Sequence, residues 1–447
     1  MEKRIFGATD GIRGEVGEAP LRPNAIKALG KAISKYFENG RLVVGRDTRI
    51  SGEWMCDAAV EGIKEQGGSV GDLGIVPTPA MQKIVGEREG IVGGIMMTAS
   101  HNPATDNGLK VFLTDGDKLS DEQELQVEEY YFEQELGEDV DPPAVTYEVE
   151  DNPAAVRDYV EAADEMLEIG NELEGVELVV DAASGAGHDY SKAVFDEFGI
   201  EAEMIDPVPN GMNINDGCGA LYPEKMATVA KERGCVGVAM DGDADRIILA
   251  DEEGRIWDGD RIVCLIAEYL NENEALPNSK VVLTEYSNLA TIQYLMNNGI
   301  EVDKVVNGDR FVAQKCEENG LILGGELSGH IIYLPWLKSS DATFMTLFIL
   351  KIMRERGCRL ADLWAKYDNL PSKQWGVAVR EKKDLNELPE WIGAVAAAEN
   401  RLDGNGRIFT RYSGTENKLR ILVEGQDAEI VEEVGEALKE LVEKELG

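Results

Sequence analysis

The sequence predicts an α/β protein: three similar mixed α/β domains in series, then a smaller C-terminal α+β domain. Three segments share one plan, a short β-branched run followed by a polar or small-residue turn and a helical pattern. They are Leu42-Val-Val-Gly-Arg-Asp-Thr, Leu178-Val-Val-Asp-Ala-Ala-Ser-Gly and Val281-Val-Leu-Thr-Glu-Tyr-Ser-Asn. Such continuous apolar runs suit central strands buried on both faces, and the helical patterns between them suggest right-handed βαβ units and mostly parallel sheets. The pattern changes beyond Asn369-Leu-Pro. There Arg407-Ile-Phe-Thr-Arg and Leu419-Arg-Ile-Leu-Val read as strands flanking a polar loop, and Ile430, Val434, Leu438 and Leu441 fall on one face of a final helix. Candidate linkers near Asp141-Pro-Pro, around Asp251–Asp258 and near Asn369-Leu-Pro divide the chain into residues 1–150, 151–252, 253–368 and 369–447.

A length of 447 residues suits several domains, and 43% hydrophobic residues suffice for sizeable cores. The 85 acidic against 44 basic residues leave a net charge of −41, which argues against a nucleic-acid partner. Acidic runs at Asp121–Glu135 and Glu429–Glu445 read as solvated helix faces. No stretch approaches the ~20 apolar residues of a membrane helix, so no membrane partner is expected. The first residues lack the apolar core of a secretory signal, which points to a cytoplasmic protein. Six scattered cysteines without C-x-x-C spacing read as free thiols, and three histidines (His101, His188 and His330) argue against a His-rich metal site.

Four polar segments carry candidate chemistry. Thr98-Ala-Ser-His-Asn-Pro follows an apolar run, so Ser100 sits on a loop at a strand end, where a serine can act as nucleophile or phosphate carrier. His101 adjoins it, and a returning strand could bring Lys110 back to the loop. In Asp241-Gly-Asp-Ala-Asp-Arg, three alternate carboxylates suit a hard cation. An EF-hand is the local rival, but Arg246 stands where its glycine should be and the flanks read as strands, which favours Mg²⁺ over Ca²⁺. Gly324-Gly-Glu-Leu-Ser-Gly-His offers Glu326 and Ser328 as hydroxyl readers and His330 as a titratable group; a plain glycine-rich turn is the other reading. Arg411-Tyr-Ser-Gly-Thr-Glu-Asn-Lys-Leu-Arg makes either a phosphate cradle or an ordinary charged hairpin.

In this order and at these separations, the four segments resemble the α-D-phosphohexomutase superfamily. Gly7-Ala-Thr-Asp-Gly-Ile-Arg-Gly, Asp47-Thr-Arg-Ile-Ser-Gly, Pro77-Thr-Pro-Ala and Pro209-Asn-Gly-Met-Asn-Ile-Asn extend the likeness over essentially the whole chain. Thr9-Asp-Gly-Ile-Arg-Gly, Gly308-Asp-Arg and Ser413-Gly-Thr-Glu are most similar to members acting on glucosamine phosphates. Ala8, Ser184, Leu221, Tyr222, Tyr412 and Asn417 depart from the usual pattern, which leaves glucose and mannose phosphates open.

The resemblance implies a four-domain, heart-shaped molecule with a central cleft. Ser100 then matches the phosphorylated serine, and Asp241, Asp243 and Asp245 match the Mg²⁺ ligands, completed by a phosphoserine oxygen. Arg13 and Arg246 match active-site arginines, and Lys110 matches a lysine acid/base. His330 matches the histidine beside the reacting oxygen, and His101 joins this group as the neighbour of Ser100. Glu326 and Ser328 match sugar-hydroxyl contacts, with Arg310 assigned to substrate binding beside them. Arg411, Ser413, Gly414, Thr415 and Arg420 match the site for the non-reacting phosphate. The implied reaction interconverts hexose 6-phosphate and hexose 1-phosphate through a hexose 1,6-bisphosphate, which also serves as activator. The implied partner is a small phosphosugar, and the implied assembly is a monomer or homodimer. A sugar-phosphate phosphatase and a catalytically silent sensor are the rival functions. Since Arg13, Arg46, Lys110, Arg246, Arg310, Arg411, Lys418 and Arg420 all lie in or near the motifs, a positive cleft inside a negative shell is expected.

Overall fold

The computed structural model describes residues 4–7, 11–137, 139, 148–149, 152–413 and 417–447. Its first sheet contains β1 (Ile12–Glu15), β2 (Arg41–Arg46), β3 (Ser69–Ile75), β4 (Gly93–Met97), β5 (Asp106–Leu113) and β6 (Glu148–Val149), in the order β1-β5-β4-β2-β3-β6. Helices α1 (Pro23–Tyr36), α2 (Gly52–Gln66), α3 (Thr78–Glu87) and α4 (Asp121–Phe132) alternate with these strands, and α5 (Asn152–Leu167) leads into the second sheet. That sheet, ordered β11-β10-β9-β7-β8, is built from β7 (Glu177–Asp181), β8 (Glu201–Met204), β9 (Val236–Met240), β10 (Ile247–Ala250) and β11 (Ile256–Trp257), with α6 (Gly187–Glu197) and α7 (Glu224–Arg233).

The third sheet has β12 (Lys280–Thr284), β13 (Glu301–Val305), β14 (Leu323–Gly325) and β15 (Ile331–Tyr333), in the order β13-β12-β14-β15. Around it lie α8 (Gly259–Glu272), α9 (Leu289–Asn297), α10 (Asp309–Asn319), α11 (Ala342–Arg356) and the short α12 (Leu360–Leu363). The last sheet is antiparallel, β16 (Ser372–Ala378), β18 (Lys418–Glu424) and β17 (Arg407–Tyr412), and is covered by α13 (Pro389–Arg401) and α14 (Ala428–Leu446).

The β-branched runs at 42, 178 and 281 form the central strands β2, β7 and β12, each with a parallel neighbour on both sides. Parallel pairing is confined to these centres and to the β3–β6 edge of the first sheet. β4–β5, β9–β10 and β14–β15 are antiparallel, because their connections are too short for the crossover that parallel pairing requires. Those three short connections hold Ser100, the Asp241–Asp245 triplet and Glu326–His330, so equivalent turns in three sheets bear the candidate chemistry.

One continuous core runs through the first three sheets. It joins Val43, Met81 and Val85 to Tyr159, Val180 and Phe195, and onward to Val263, Leu283 and Phe344. The fourth sheet packs a separate core of Trp375, Val377, Ile421, Val434 and Leu438. The buried stripe of α14 is Val431, Val434, Leu438, Val442 and Leu446, with Ile430 and Leu441 partly buried at its margin. The other acidic helix, α4, is less solvated than its sequence suggests. Glu128 Oε1 accepts the backbone N–H groups of Ile5 and Phe6, both at 2.8 Å, and Glu124 pairs with Arg4. All six cysteines are free thiols. No helix among the described residues is long and apolar enough to cross a membrane.

Candidate active site

The β4–β5 turn presents Ser100 in a left-handed conformation, φ 52°, which costs a residue with a Cβ about 1–2 kcal/mol. Its backbone N–H donates to Thr98 Oγ1 at 2.9 Å. Its own Oγ donates to Asp241 Oδ2 at 2.7 Å and lies 3.2 Å from His101 Nδ1. Gly242 makes this approach possible, since a Cβ there would stand 2.6 Å from the Ser100 carbonyl oxygen. Ala244, also left-handed at φ 58°, bends the facing turn. Strain on both sides of the contact is stored where function needs a fixed geometry.

Asp241, Asp243 and Asp245 are buried, and each contributes an oxygen to a cluster whose members all lie within 4.8 Å of one another. Lys110, brought back by β5 as the sequence suggested, spans two of them: Nζ donates to Asp243 Oδ2 at 2.8 Å and to Asp245 Oδ2 at 3.2 Å. Burial, then the neighbouring Asp245 and Asp243, push the Asp241 carboxyl up to about 7. Burial raises Asp245 too, but Lys110, His330 and Arg246 outweigh it and hold that carboxyl well below the usual range. Asp243 Oδ1 is buried and makes no hydrogen bond among the described residues. An all-oxygen donor set with an orphaned carboxylate oxygen and surplus negative charge fits a hard divalent cation. The flanks, β9 and β10, are strands, so the EF-hand reading fails on its helices.

The β14–β15 turn forms the opposite wall. Glu326 Oε1 accepts the Gly308 N–H at 2.7 Å, while Oε2 accepts from Ser328 Oγ at 3.0 Å and meets His330 Nδ1 at 2.8 Å. The other ring nitrogen, Nε2, is 3.2 Å from Asp245 Oδ1. Burial would lower His330, but Asp245 and Glu326 outweigh it and push the imidazole up to about 10. For His101, burial, Arg246 and Arg13 act together and push it down to about 3. Two histidines in one site are therefore held in opposite charge states.

Cations ring the cluster. Arg246 Nε is 3.8 Å from Asp241 Oδ2, and Arg13 lies on β1 beside Gly108 of β5. The Nε atoms of both are buried without a hydrogen bond among the described residues. Arg310 is engaged elsewhere, with Nη2 on Asp121 Oδ1 of the first domain at 2.9 Å. In the fourth sheet Arg411 pairs directly with Arg420 across β17–β18. Like charges directly opposed destabilise a sheet, a cost that a bound anion would relieve. Ser413 is buried at the end of β17, and its carbonyl accepts from Lys382 Nζ at 2.6 Å. Gly414 and Thr415 lie outside the described residues, as does the Ala8–Asp10 part of the N-terminal motif.

Sequence reasoning missed some residues that shape this site. Thr78 caps the carboxylate cluster from the first domain, and Arg49 and Asn215 grip the Ser100 loop. All three stand in motifs already singled out, Pro77-Thr-Pro-Ala, Asp47-Thr-Arg and Pro209–Asn215, but no local chemistry marked them.

Three mixed sheets on a shared core, a fourth with a core of its own and a serine set among carboxylates and arginines define an enzyme of phosphoryl transfer. The chain belongs to the phosphoglucomutase/phosphomannomutase family. The models of its alpha/beta/alpha domains I, II and III match residues 3–138, 157–254 and 258–370, and that of its C-terminal domain matches residues 376–441. The phosphoglucosamine mutase of Anaeromyxobacter sp. (strain Fw109-5) is 37% identical over 459 residues, covering 100% of this chain and 97% of that protein. Among solved structures, a phosphoglucomutase/phosphomannomutase family protein from Burkholderia thailandensis superposes with a TM-score of 0.77 at 20% identity, over 99% of this chain and 98% of that one. The N-acetylphosphoglucosamine mutase of Aspergillus fumigatus, in complex with GlcNAc-6P and magnesium, does so with a TM-score of 0.68 at 20% identity, over 99% and 96%.

Proposed function

We propose that the protein interconverts glucosamine 6-phosphate and glucosamine 1-phosphate, using Ser100 as the phosphoryl carrier and a hexose 1,6-bisphosphate as the intermediate. The observation that carries this reading is the contact between Ser100 Oγ and Asp241 Oδ2, which sets a lone serine hydroxyl against the carboxylate triplet. Full-length similarity to a phosphoglucosamine mutase supports the choice of sugar.

Asp241, Asp243 and Asp245 would hold Mg²⁺, which supplies neutralisation of charge on the transferring phosphoryl group. The chain's own groups do the rest. Arg13 and Arg246, whose buried Nε atoms make no hydrogen bond among the described residues, offer donors to phosphoryl oxygens. Lys110, already shared between Asp243 and Asp245, exchanges a proton with the sugar hydroxyl that attacks or leaves. His330 is held as an imidazolium by Asp245 and Glu326, so it donates toward the reacting oxygen. Glu326 and Ser328 read sugar hydroxyls.

After the first transfer the bisphosphate must turn end for end before returning its other phosphoryl group to Ser100. The phosphate reader must then accept either end, and the opposed Arg411 and Arg420 with Ser413 form such a reader. It sits on the one domain with a separate core, the arrangement that lets a domain move as a body during turnover. Intact mass and phosphopeptide mapping before and after incubation with glucosamine 6-phosphate and Mg²⁺ test the reading. Phosphate on Ser100 that is lost to substrate, with glucosamine 1-phosphate or bisphosphate appearing, is expected. A Ser100 that stays unmodified even with a hexose 1,6-bisphosphate overturns it.

A further inference from the structure

The Ser100 loop turns four carbonyl oxygens inward onto one buried guanidinium. Arg49 Nη2 donates to the carbonyls of Ser100 at 2.9 Å and Asn102 at 2.8 Å, and Nη1 donates to those of Pro103 and, at 2.9 Å, Asp106. Its Nε donates to Asp47 Oδ2 at 2.9 Å, and the same oxygen accepts from Thr98 Oγ1 at 2.7 Å. The Arg49 and Asp47 side chains are both fully buried. A second clamp comes from the other domain. Asn215 Nδ2 donates to the carbonyls of Ser100 and Asn102 at 2.9 and 3.0 Å, the same two that Arg49 Nη2 holds. Each of these carbonyls therefore accepts one bond from each domain.

The clamp is itself fastened across the domain seam. Thr48 Oγ1 donates to the Ser184 carbonyl at 2.7 Å, and the Ile50 N–H donates to that of Gly211 at 2.9 Å. Asn215 takes a left-handed backbone, φ 57°, to bring its amide into place. Among the described residues none of these side chains hydrogen-bonds to the carboxylate triplet. What they share is the peptide of Ser100, whose left-handed φ directs Oγ at Asp241.

We propose that Arg49 and Asn215 are positioning residues for phosphoryl transfer: together they hold the Ser100 peptide in its strained conformation, so that the carrier oxygen is in line only when the first two domains are docked. This rests on the reading of Ser100 as the carrier. Only a planar fork of five donors can serve carbonyls at four positions and a carboxylate together, so lysine is no substitute for Arg49. Misplacing a reacting atom by about 1 Å costs on the order of 100-fold in rate, and sugar binding, which uses other loops, is spared.

The test compares wild type with N215A, R49A and R49K in the full chain. N215A is expected to lower kcat about 100-fold with KM within threefold, and to speed amide hydrogen exchange across residues 98–106. R49K should behave as R49A does, and guanidinium ion, unlike methylammonium, should restore part of the R49A activity. Should the Arg49 variants fail to fold, N215A alone carries the test. Unchanged kcat and exchange in N215A, or a loss confined to KM, overturns the proposal. An inactive wild type whose 98–106 exchange still quickens in N215A overturns the mutase reading and leaves the clamp standing.

Discussion

Thr78 Oγ1 donates to Asp243 Oδ2 at 2.6 Å, and the Thr78 N–H donates to the Asp243 carbonyl at 3.0 Å. The first turn of α3 thus fixes a carboxylate of the second domain from behind. Outer-shell partners of a metal ligand typically contribute 10–100-fold in affinity or activity. Thr78→Val, which keeps the shape and removes the donor, should raise the Mg²⁺ concentration for half-maximal activity about 10-fold. A magnesium titration with an unshifted midpoint would show that the carboxylate needs no such guide.

Asp241 carries a second prediction. Burial and its acidic neighbours push it up to about 7, and a carboxyl must lose its proton to bind a cation. Below that pH the proton competes, so Mg²⁺ affinity should climb between pH 6 and 7 and level off above. Calorimetry in two buffers of different ionisation enthalpy should detect proton release on binding at pH 6 that fades by pH 8. Asp241→Asn should bind weakly and show neither dependence.

His101 and His330 make a third prediction readable by NMR of the metal-free protein. The His330 signal should keep its charged position up to pH 9, and that of His101 its neutral position down to pH 5, since their pKa values lie near 10 and 3. A folded pKa raised above the ordinary 6.5 means that protonation favours the native state. The stability contributed by His330 is therefore fully present below pH 6.5 and lost as pH rises through about 10. His330→Gln should cost more stability at pH 6 than at pH 10, measured by urea midpoints.

The charge of −41 yields a fourth. A phosphosugar dianion meets a repelling shell before it meets Arg13, Lys110 and Arg246, of which Lys110 is fully buried. With a screening length of ~10 Å at 0.1 M salt, added salt quiets the exposed shell more than the buried cations. The value of kcat/KM should rise as KCl is raised from low salt to a few tenths molar. A steady fall over that range would mean that the cleft, not the shell, governs encounter.

The strands and the loops that bear the chemistry were legible in the sequence. Apolar runs, turn residues and the placing of Ser100, Lys110, Asp241, Asp243 and Asp245 are local features, set by side-chain alternation and turn preference within a few residues. The mostly parallel pairing that the sequence suggests holds at the sheet centres, but the sequence did not show which pairs turn antiparallel, because strand direction depends on the connection length that each turn allows. It also read α4 as a solvated face, although Glu128 folds inward to receive the N–H groups of Ile5 and Phe6.

By itself, then, the sequence determined which residues could carry phosphate, metal and sugar, since those abilities belong to the side chains and their immediate turns. Only the tertiary structure decided which of them meet. Thr78 reaches Asp243, Asn215 shares the Ser100 carbonyl with Arg49, and Arg310 pairs with Asp121, each between residues far apart along the chain. The physical reason is that such contacts follow from how three sheets bury one common core, a sum of many small, non-directional burial terms that no short stretch of sequence records.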